Sequence, residues 1–464
     1  MNASRQAPHE LVERALAAST ADDCVVLVEE ASSTNLRWAN NTLTTNGVSE
    51  RLGVTVVSLV AGAEGVAAAA LTRDAGEWPA IQAMVAEADA VARLAGPAGD
   101  AAPLVGPSTD ADWEEPAEST SVEVFERTAP ALGEALGRAG ADGRLLYGFM
   151  QHDLTTTYLG SSSGLRRRHV QPTGHIGVTG KTADLSDSAW VGQATRDFTD
   201  VDPLALDAEL ARRLSWGRRR IALPAGHYDT VLPPTAVADL MIYAYWTAGA
   251  RAAHDGATVF SRLGGGTRVG DRVSPHSVQV FSDPAHPGLG CAPFVTAAAS
   301  GPDTSVFDNG LPRGRVDWVH DGRLAALMTS RHSAAVSGLP LTPGVDNLVM
   351  SIDDAGGDVD DLTRGIDRGL LLTCLWYIRE VDAQTLLLTG ITRDGVYLVE
   401  AGEVVGAVNN FRFNESPIDL LQRFQSASLT VPAFSREWGD YFPRTAMPAL
   451  RVPDFNMSSV SDAS

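Results

Sequence analysis

The sequence predicts an α+β protein in two parts. The first is an N-terminal α/β domain with an antiparallel meander and long helices, and the second is a C-terminal β-rich, barrel-like domain with one long buried helix. Residues 35–72 read as short strands separated by turns at Asn46-Gly47 and Gly62–Gly65, which is typical of a meander. From about residue 225, one apolar helical stretch is followed by many short strands and turns, which indicates a second domain.

Helices are expected on both sides of the meander. Residues 8–19, "PHELVERALAAS", carry a helical stripe of apolar side chains, and residues 24–31 follow as a short strand. Three further helices are predicted, over Trp78–Leu94, over Ser121–Ala139, and near Leu206–Leu214 with a start at about Pro203. Residues 95–118 are rich in Pro, Gly, Ala and acids, which favours a linker or an exposed excursion between two lobes.

The second half begins near Leu223, which gives predicted domains over residues 1–222 and 223–452 and a tail over residues 453–464. Its first element, "TAVADLMIYAYWTAGARAAHDG" (235–256), is predicted to be one buried helix capped by Thr235. Asp394-Gly395 predicts a hairpin. Asp358 or Asp360 is expected to cap a helix that Gly369 ends.

Composition limits the possible partners. The formal charge is −21, from 57 acidic and 36 basic residues, which argues against a nucleic acid or an anionic membrane as partner. The cysteines Cys24, Cys291 and Cys374 lie far apart and suggest no disulfide framework. The N-terminal residues contain no apolar signal core, and the apolar helix is too short to cross a bilayer. A cytoplasmic location is therefore expected.

No metal site is evident from spacing. The segment "HELVE" pairs His9 with a glutamate, but Glu13 stands where a zinc peptidase of the His-Glu-x-x-His type needs its second histidine. Two other pairs have ligand chemistry without a third ligand, and both are interpreted as structural or exposed: His286 with Cys291, and His169 with His175.

Other catalytic motifs are also incomplete. The acidic run at residues 353–367 lacks the spacing and terminal glutamate of a calcium loop. The glycines at residues 264–266 lack the Lys-Ser/Thr of a phosphate loop and are interpreted as a turn. "YLGSSSG" is not a Gly-x-Ser-x-Gly nucleophile motif. Spacing alone therefore predicts a soluble two-domain α+β protein without a visible active site.

The order of several segments nevertheless resembles the TldD/PmbA family, and within it the TldE (PmbA) branch. The resemblance rests on "LRWANNTLTTNGVSERLGVTV", on "TYLGSSSGLRR", and on "SGPDTSVFDNGLPRGRVDWVHDGRLAALMTSRHSA". In the last of these, Phe307, Asp308, Gly310 and Pro312 fit a Phe-Asp-x-x-Gly-x-Pro element of the family. Gly160 departs from the family pattern, which has Asn at that position. The resemblance covers roughly residues 10–452.

The resemblance implies a zinc peptidase whose metal lies elsewhere than in this chain. In catalytic members, the helix after the domain boundary carries His-Glu-x-x-x-His, and a cysteine near the C-terminus completes the zinc site. Here the matching stretch reads Met241-Ile242-Tyr243-Ala244-Tyr245-Trp246, the next histidine is His254, and the last segment has no cysteine. No catalytic or metal-binding residue is therefore expected in this chain, and His254 is interpreted as a cap-region or surface histidine.

The expected partners follow from the same resemblance. They are a TldD-like catalytic subunit that holds the zinc, in a heterodimer with this chain, and an unfolded or flexible peptide as substrate. This chain would help to wall the chamber and hold the peptide, through residues that the sequence does not indicate. Two alternatives stay open at this stage: a self-sufficient metallohydrolase, for instance around His286 and Cys291, and a stand-alone peptide-binding or assembly protein.

Overall fold

The computed structural model describes residues 6–461 and confirms an α+β protein in which strands predominate. The first half contains these elements in chain order: α1 (Pro8–Ala18), β1 (Asp23–Ala39), β2 (Thr42–Gly62), β3 (Gly65–Asp74), α2 (Trp78–Leu94), β4 (Ser108–Thr109), a 3₁₀ turn (Val122–Phe125), α3 (Ala129–Ala141), β5 (Arg144–Ser161), β6 (Leu165–Thr182), β7 (Ser188–Thr195) and α4 (Pro203–Trp216). The expected helices over Trp78–Leu94 and from Pro203 are both present.

These strands form one sheet in the order β3-β2-β1-β5-β6-β4, with β7 also paired to β6. Every pairing is antiparallel except that of β4 with β6, so the half is an antiparallel sheet with helices rather than an alternating α/β unit. Even-numbered apolar residues of β1 and β2, such as Val26 and Val54, pack under α1 and α2. Odd-numbered residues such as Val25 and Val57 face the second half of the chain.

The first hairpin turns at a different place from the one predicted. β1 and β2 stay in register past Asn46 and Gly47, which pair with Leu36 and Asn35. The chain reverses at Asn40-Asn41, whose φ angles of 50° and 59° suit a two-residue turn of the hairpin type. The turn at Gly62–Gly65 is where it was predicted.

Two other predictions for this half need correction. The helix expected over Ser121–Ala139 begins only at Ala129, because Ser121 caps the separate 3₁₀ turn and a proline follows Ala129 in the first turn of α3. The segment 95–118 has little regular structure, but it lies against the sheet: β4 pairs with β6, and Trp113 is buried against Tyr158.

The second half contains the remaining elements: β8 (Arg220–Ile221), β9 (Gly226–Leu232), α5 (Pro234–Trp246), α6 (Ala250–His254), β10 (Val278–Ser282), a 3₁₀ turn (Val306–Asp308), β11 (Val316–His320), β12 (Arg323–Leu324), α7 (Arg331–Ser337), β13 (Leu348–Ile352), α8 (Val359–Arg364), β14 (Arg368–Leu372), β15 (Leu375–Asp382), β16 (Leu387–Thr392), β17 (Val396–Glu400), β18 (Glu403–Val408), β19 (Phe411–Glu415), α9 (Pro417–Arg423), β20 (Ser426–Ala427), β21 (Val431–Ala433), β22 (Thr445–Met447) and β23 (Leu450–Val460).

The expected barrel is replaced by two mixed sheets. One has the order β12-β11-β10-β13-β22-β21, and the other has the order β15-β16-β19-β23-β9-β14-β17-β18-β8, with β20 on β23. Both orders, as far as residues 6–461 show, end in unpaired strands and do not close. The expected tail from residue 453 is also wrong up to residue 460, because β23 runs through the middle of the larger sheet.

The predicted single helix over residues 235–256 is two helices. α5 is capped at Pro233, so Thr235 lies inside it, and it ends at Trp246. Ala250 N–H then bonds the carbonyl of Met328 at 2.8 Å, which turns the chain out of the helix. A Cβ at Gly249 would lie 2.0 Å from a carboxylate oxygen of Asp303, so a larger residue at the break would displace that side chain.

Two turn predictions also differ from the structure. Asp358 does cap a helix, α8, with a reciprocal bond to Asp361, but α8 ends at Gly365, and Gly369 lies within β14. Asp394-Gly395 joins β16 to β17, which do not pair with each other, so it is a turn between neighbouring parts of one sheet and not a hairpin.

The Phe-Asp-x-x-Gly-x-Pro element docks the two halves together. Phe307 is buried against apolar residues of β1, β2 and β5. Asp308 accepts hydrogen bonds from the Arg331 backbone N–H (3.0 Å) and from its Nε (2.6 Å). Gly310 has φ +85°, and a Cβ there would approach Leu165 to 2.1 Å. The element therefore has a structural role at the junction.

Candidate functional site

The helix α5 packs against the loop at residues 434–442, and these are the two segments that the resemblance assigns to a zinc site. Aromatic rings fill the contact. Trp438 lies 5.8 Å from Tyr243 and 5.3 Å from Trp246, and Phe442 lies 5.6 Å from Tyr245, all between ring centroids. Geometries of this kind are favourable for aromatic pairs. We call this set of five rings the aromatic cluster.

The expectation that this helix is core holds for most of its length. Tyr245 is 7% exposed, and its hydroxyl donates to the Val345 carbonyl and accepts from the Val345 N–H, both at 2.8 Å. Burial raises the pKa of Tyr245, which therefore stays protonated as a donor. Trp246 departs from the expectation, since it is 40% exposed at the end of the helix.

A single carboxylate fixes the loop to the helix. Asp239 is fully buried within α5 and accepts hydrogen bonds from the Ser435 hydroxyl and from the Glu437 N–H, the latter at 2.8 Å. Its backbone carbonyl accepts from Trp438 Nε1 at 3.0 Å. Its other carboxylate oxygen has no hydrogen-bond partner. Burial outweighs these bonds and raises the pKa of Asp239 to about 7.

The residues at this place do not fit zinc. A structural or catalytic zinc site needs at least three thiolate, imidazole or carboxylate ligands. Across residues 6–461, no group of three such side chains is placed to hold a metal ion. At the aromatic cluster the buried carboxylate of Asp239 is held by Ser435 and Glu437. Phenol and indole rings occupy the space instead.

The two histidines that the sequence analysis singled out at the helices lie in packed or half-buried positions. His9 packs on α1 against Trp113 and Tyr158, with ring centroids 6.5 and 6.4 Å away, and Glu13 pairs with Arg166. His254 ends α6, half-buried, with a buried Nδ1 that has no hydrogen-bond partner. The geometry therefore gives no support to a metal site at "HELVE".

The remaining histidine and cysteine candidates lie near one large cleft of about 940 Å³. It lies between β6, β7 and the loop 196–200 on one side, and the loop 284–291, β21 and residues 443–446 on the other. We call it the inter-sheet cleft. His169, His286 and Cys291 line it, whereas His175 is buried nearby and stacks on Phe434.

Each of these side chains has local contacts within the protein. His169 bonds Gln171 at 3.1 Å, and His286 Nδ1 lies 2.9 Å from the Pro287 carbonyl. Burial raises the pKa of Cys291 to about 11, so its thiol is protonated at neutral pH. Burial also lowers the pKa of His175, which lies 3.8 Å from a carboxylate oxygen of Asp440.

An arginine that the sequence analysis did not single out also faces this cleft. Arg444 donates to the Thr173 hydroxyl, and it has no carboxylate within ion-pair distance among the residues that the structure describes. Burial lowers the pKa of Arg444, and the nearby Asp346 and Cys291 act against this shift. No local sequence signal could have found this contact, because its two residues are 271 positions apart. Asp239, in contrast, was visible as a lone acid inside an apolar helix.

The buried Asp239 predicts a pH-dependent stability. Its pKa in the folded state is above the ordinary value, so the folded state holds the proton more tightly and stability falls as pH rises from about 4 through 7, by up to ~1.4 kcal/mol per pH unit. Asp239→Asn mimics the protonated acid. We expect the difference in unfolding free energy between variant and wild type to grow in favour of the variant from pH 5 to 8, measured by urea denaturation. Parallel pH profiles would contradict this assignment.

Two descriptions of known protein families match parts of the sequence. The family description "PmbA/TldA metallopeptidase C-terminal domain" matches residues 225–459, and "PmbA/TldA metallopeptidase domain 1" matches residues 24–92. No curated protein sequence matches the chain.

Three solved structures share the fold over nearly all of the chain. TldE from Thermococcus kodakarensis superposes with a TM-score of 0.73 at 15% identity, covering 96% of this chain and 98% of that one. Putative modulators of DNA gyrase from Thermotoga maritima and Bacteroides thetaiotaomicron give TM-scores of 0.74 and 0.75 at 16% and 13% identity. They cover 96% and 97% of this chain, and 99% and 98% of their own. The match to the C-terminal domain alone spans half of the sequence, and the chain therefore belongs to the PmbA/TldD metallopeptidase family.

Proposed function

We propose that this chain is the non-catalytic, TldE-type subunit of a heterodimeric zinc peptidase that cleaves unfolded or flexible peptides. The zinc and the general base reside in a TldD-like partner that carries His-Glu-x-x-x-His. The observation that carries the proposal is the aromatic cluster, since rings and not ligands occupy the helix and the loop that a zinc site of this family would use. Water activation by zinc needs those ligands.

The rest of the fold supports a role in shaping a chamber and holding substrate, for which both halves of the chain are needed. The junction element with Phe307 and Gly310 is intact, and both sheets of the second half are fully formed. A chain that keeps this fold without metal ligands is suited to shaping a chamber and holding substrate beside a catalytic partner.

The inter-sheet cleft offers an edge for the peptide. β6 is paired with β4 only at residues 165–166 and with β7 only from residue 174, so the stretch between them is open on one side. The Arg166 carbonyl and the Arg168 N–H both point to that side, where they bond the Asp110 backbone and side chain. By strand alternation, Val170 faces the same way, and Pro172 lacks the N–H that a paired strand would use.

An extended peptide can add to such an edge through its backbone, which gives affinity without sequence specificity. Arg444 lies at one end of the open stretch, where its guanidinium would attract a carboxylate of the peptide. Side chains from the loop 284–291 form the opposite wall. These features support the assignment of peptide holding to the inter-sheet cleft.

We also propose a cytoplasmic location. Cys24, Cys291 and Cys374 are all unpaired and buried, which is typical of proteins from a reducing compartment. Within residues 6–461, no helix is long and apolar enough to cross a membrane.

The metal content of the isolated chain tests the proposal against a self-sufficient metallohydrolase. Expressed alone in zinc-supplemented medium and dialysed, the chain should carry far less than one zinc per molecule by elemental analysis, because no three ligands converge within residues 6–461. A stoichiometric zinc that is lost in His286→Ala or Cys291→Ala, but kept in His254→Ala, would contradict the proposal and place a metal site in the inter-sheet cleft.

A further inference from the structure

A second cleft, of about 320 Å³, lies away from the inter-sheet cleft. It is formed by the β6–β7 hairpin, the end of α4, the turn at residues 393–395 and residues 407–410. We call it the hairpin cleft. Its charged lining consists of Lys181, Arg213, Arg220 and Arg393 against Asp187 and Asp394. A locally positive cleft is unexpected on a chain whose formal charge is −21.

Lys181 is the only lysine in the sequence. It lies on β6, half-buried, directly opposite Ser188 of β7. Ser188 donates its hydroxyl to Asp394, which places Lys181 on the face of the hairpin that meets the second half of the chain. Among the residues that the structure describes, the Lys181 ammonium has neither a hydrogen bond nor an ion pair, so its three donors are available.

Two of the arginines of the cleft have hydrogen-bond partners within the protein. Arg213 is held by Glu209 (2.6 Å) and by the Trp190 carbonyl (2.8 Å). Arg220 pairs with Asp187 at 2.7 Å. Each guanidinium has five donors, so both retain N–H groups beyond these contacts.

Arg393 is less well compensated than the other two arginines. Its Nε is buried without a hydrogen-bond partner, and Asp394 lies 3.7 Å from it. A buried donor left unsatisfied is costly, and a bound acceptor would remove that cost.

We propose that the hairpin cleft binds a compact oxyanion of the phosphate class, with Lys181 as its main counter-charge and the arginine donors around it. The lining favours phosphate over a single carboxylate, because cations from several elements line one small cleft, whereas a carboxylate is satisfied by one guanidinium fork. Since the cleft joins the hairpin of the first half to the 393–395 turn of the second, the bound anion would also strengthen the junction. This inference is independent of the peptidase proposal.

The single lysine allows a direct test. Reductive methylation with ¹³C-formaldehyde labels only Lys181 and the N-terminal amine, and keeps the lysine charged. We expect titration with pyrophosphate or inorganic phosphate to shift the Lys181 methyl resonance saturably and to raise the pKa read from its pH titration. Acetate at equal ionic strength should do neither. No saturable shift with either phosphate, or an equal response to acetate, would overturn the proposal.

Titration calorimetry with the unmethylated full chain then compares pyrophosphate binding by matched variants. Lys181→Gln should weaken pyrophosphate binding at least about tenfold, because a charge-assisted contact is lost, and Lys181→Arg should largely restore it. Arg51→Gln removes an exposed cation on β2, far from the cleft, and should leave binding within about twofold of wild type. Equal binding by wild type and Lys181→Gln, with both variants folded by circular dichroism, would refute the site.

Discussion

Tyr245→Asp is expected to destabilise the protein by ~3–5 kcal/mol or to prevent it from folding. The substitution removes a buried ring from the aromatic cluster and places a carboxylate in a buried, largely apolar position. It also leaves the N–H and carbonyl of Val345 without their hydroxyl partner. The expected result is a large fall in the urea midpoint, measured by intrinsic fluorescence and circular dichroism.

Two matched variants separate the causes. Tyr377→Asp makes the same chemical change at a tyrosine that is 54% exposed, and it should alter stability by less than about 0.5 kcal/mol. Tyr245→Phe keeps the ring and removes only the hydroxyl bonds to Val345, with an expected loss of about 1–3 kcal/mol. An unchanged midpoint for Tyr245→Asp would mean that this face of α5 opens to a chamber, and the aromatic cluster would not be core.

Local signals were sufficient where one segment contains its own determinants. Trp78–Leu94 has a proline in its first turn and an Ala-Gly-Pro sequence after its end, and the helix has those bounds. α4 begins at Pro203 because Asp202 accepts hydrogen bonds from the N–H groups of Leu204 and Ala205.

Predictions failed where distant residues decide the structure. Asn46-Gly47 and Asn40-Asn41 are both chemically suited to a hairpin turn. The second is used, and a β-bulge between Arg37 and Trp38 then sets the register in which the apolar even-numbered residues of β1 and β2 face the same two helices. The break after Trp246 depends on Met328 and Asp303, which no helical pattern in residues 235–256 could reveal.

The candidate site was likewise predictable only where its determinants lie within one segment. The lack of zinc ligands on α5 could be read from the sequence once the family resemblance was recognised, and the structure adds that five rings fill the space. The inter-sheet cleft could not be predicted, because it is built from β6, β7, the loop 284–291 and residues 443–446, which are up to about 270 positions apart. The buried face of a helix or strand is visible in the sequence as a repeating pattern of apolar residues, whereas the lining of a cleft between distant elements has no such pattern.

The inter-sheet cleft has a consequence for kinetics if the chain holds the peptide for its partner. In the reconstituted pair, Arg444→Gln should raise KM for an unstructured peptide with a free carboxylate and leave kcat nearly unchanged, because the residue is expected to act on peptide binding alone. Arg412→Gln, a change at an exposed arginine on β19, serves as the control.

The most direct test of the account is a peptide-cleavage assay on three samples: this chain alone, a His-Glu-x-x-x-His partner from the same genome alone, and the two co-expressed. The substrate is a casein-like or glycine-rich unstructured peptide, with a chelator control. The account predicts cleavage only by the co-expressed pair, its loss when the partner's motif glutamate is replaced, and its persistence in His254→Ala of this chain. Cleavage by this chain alone, or equal cleavage by the partner without it, would contradict the account.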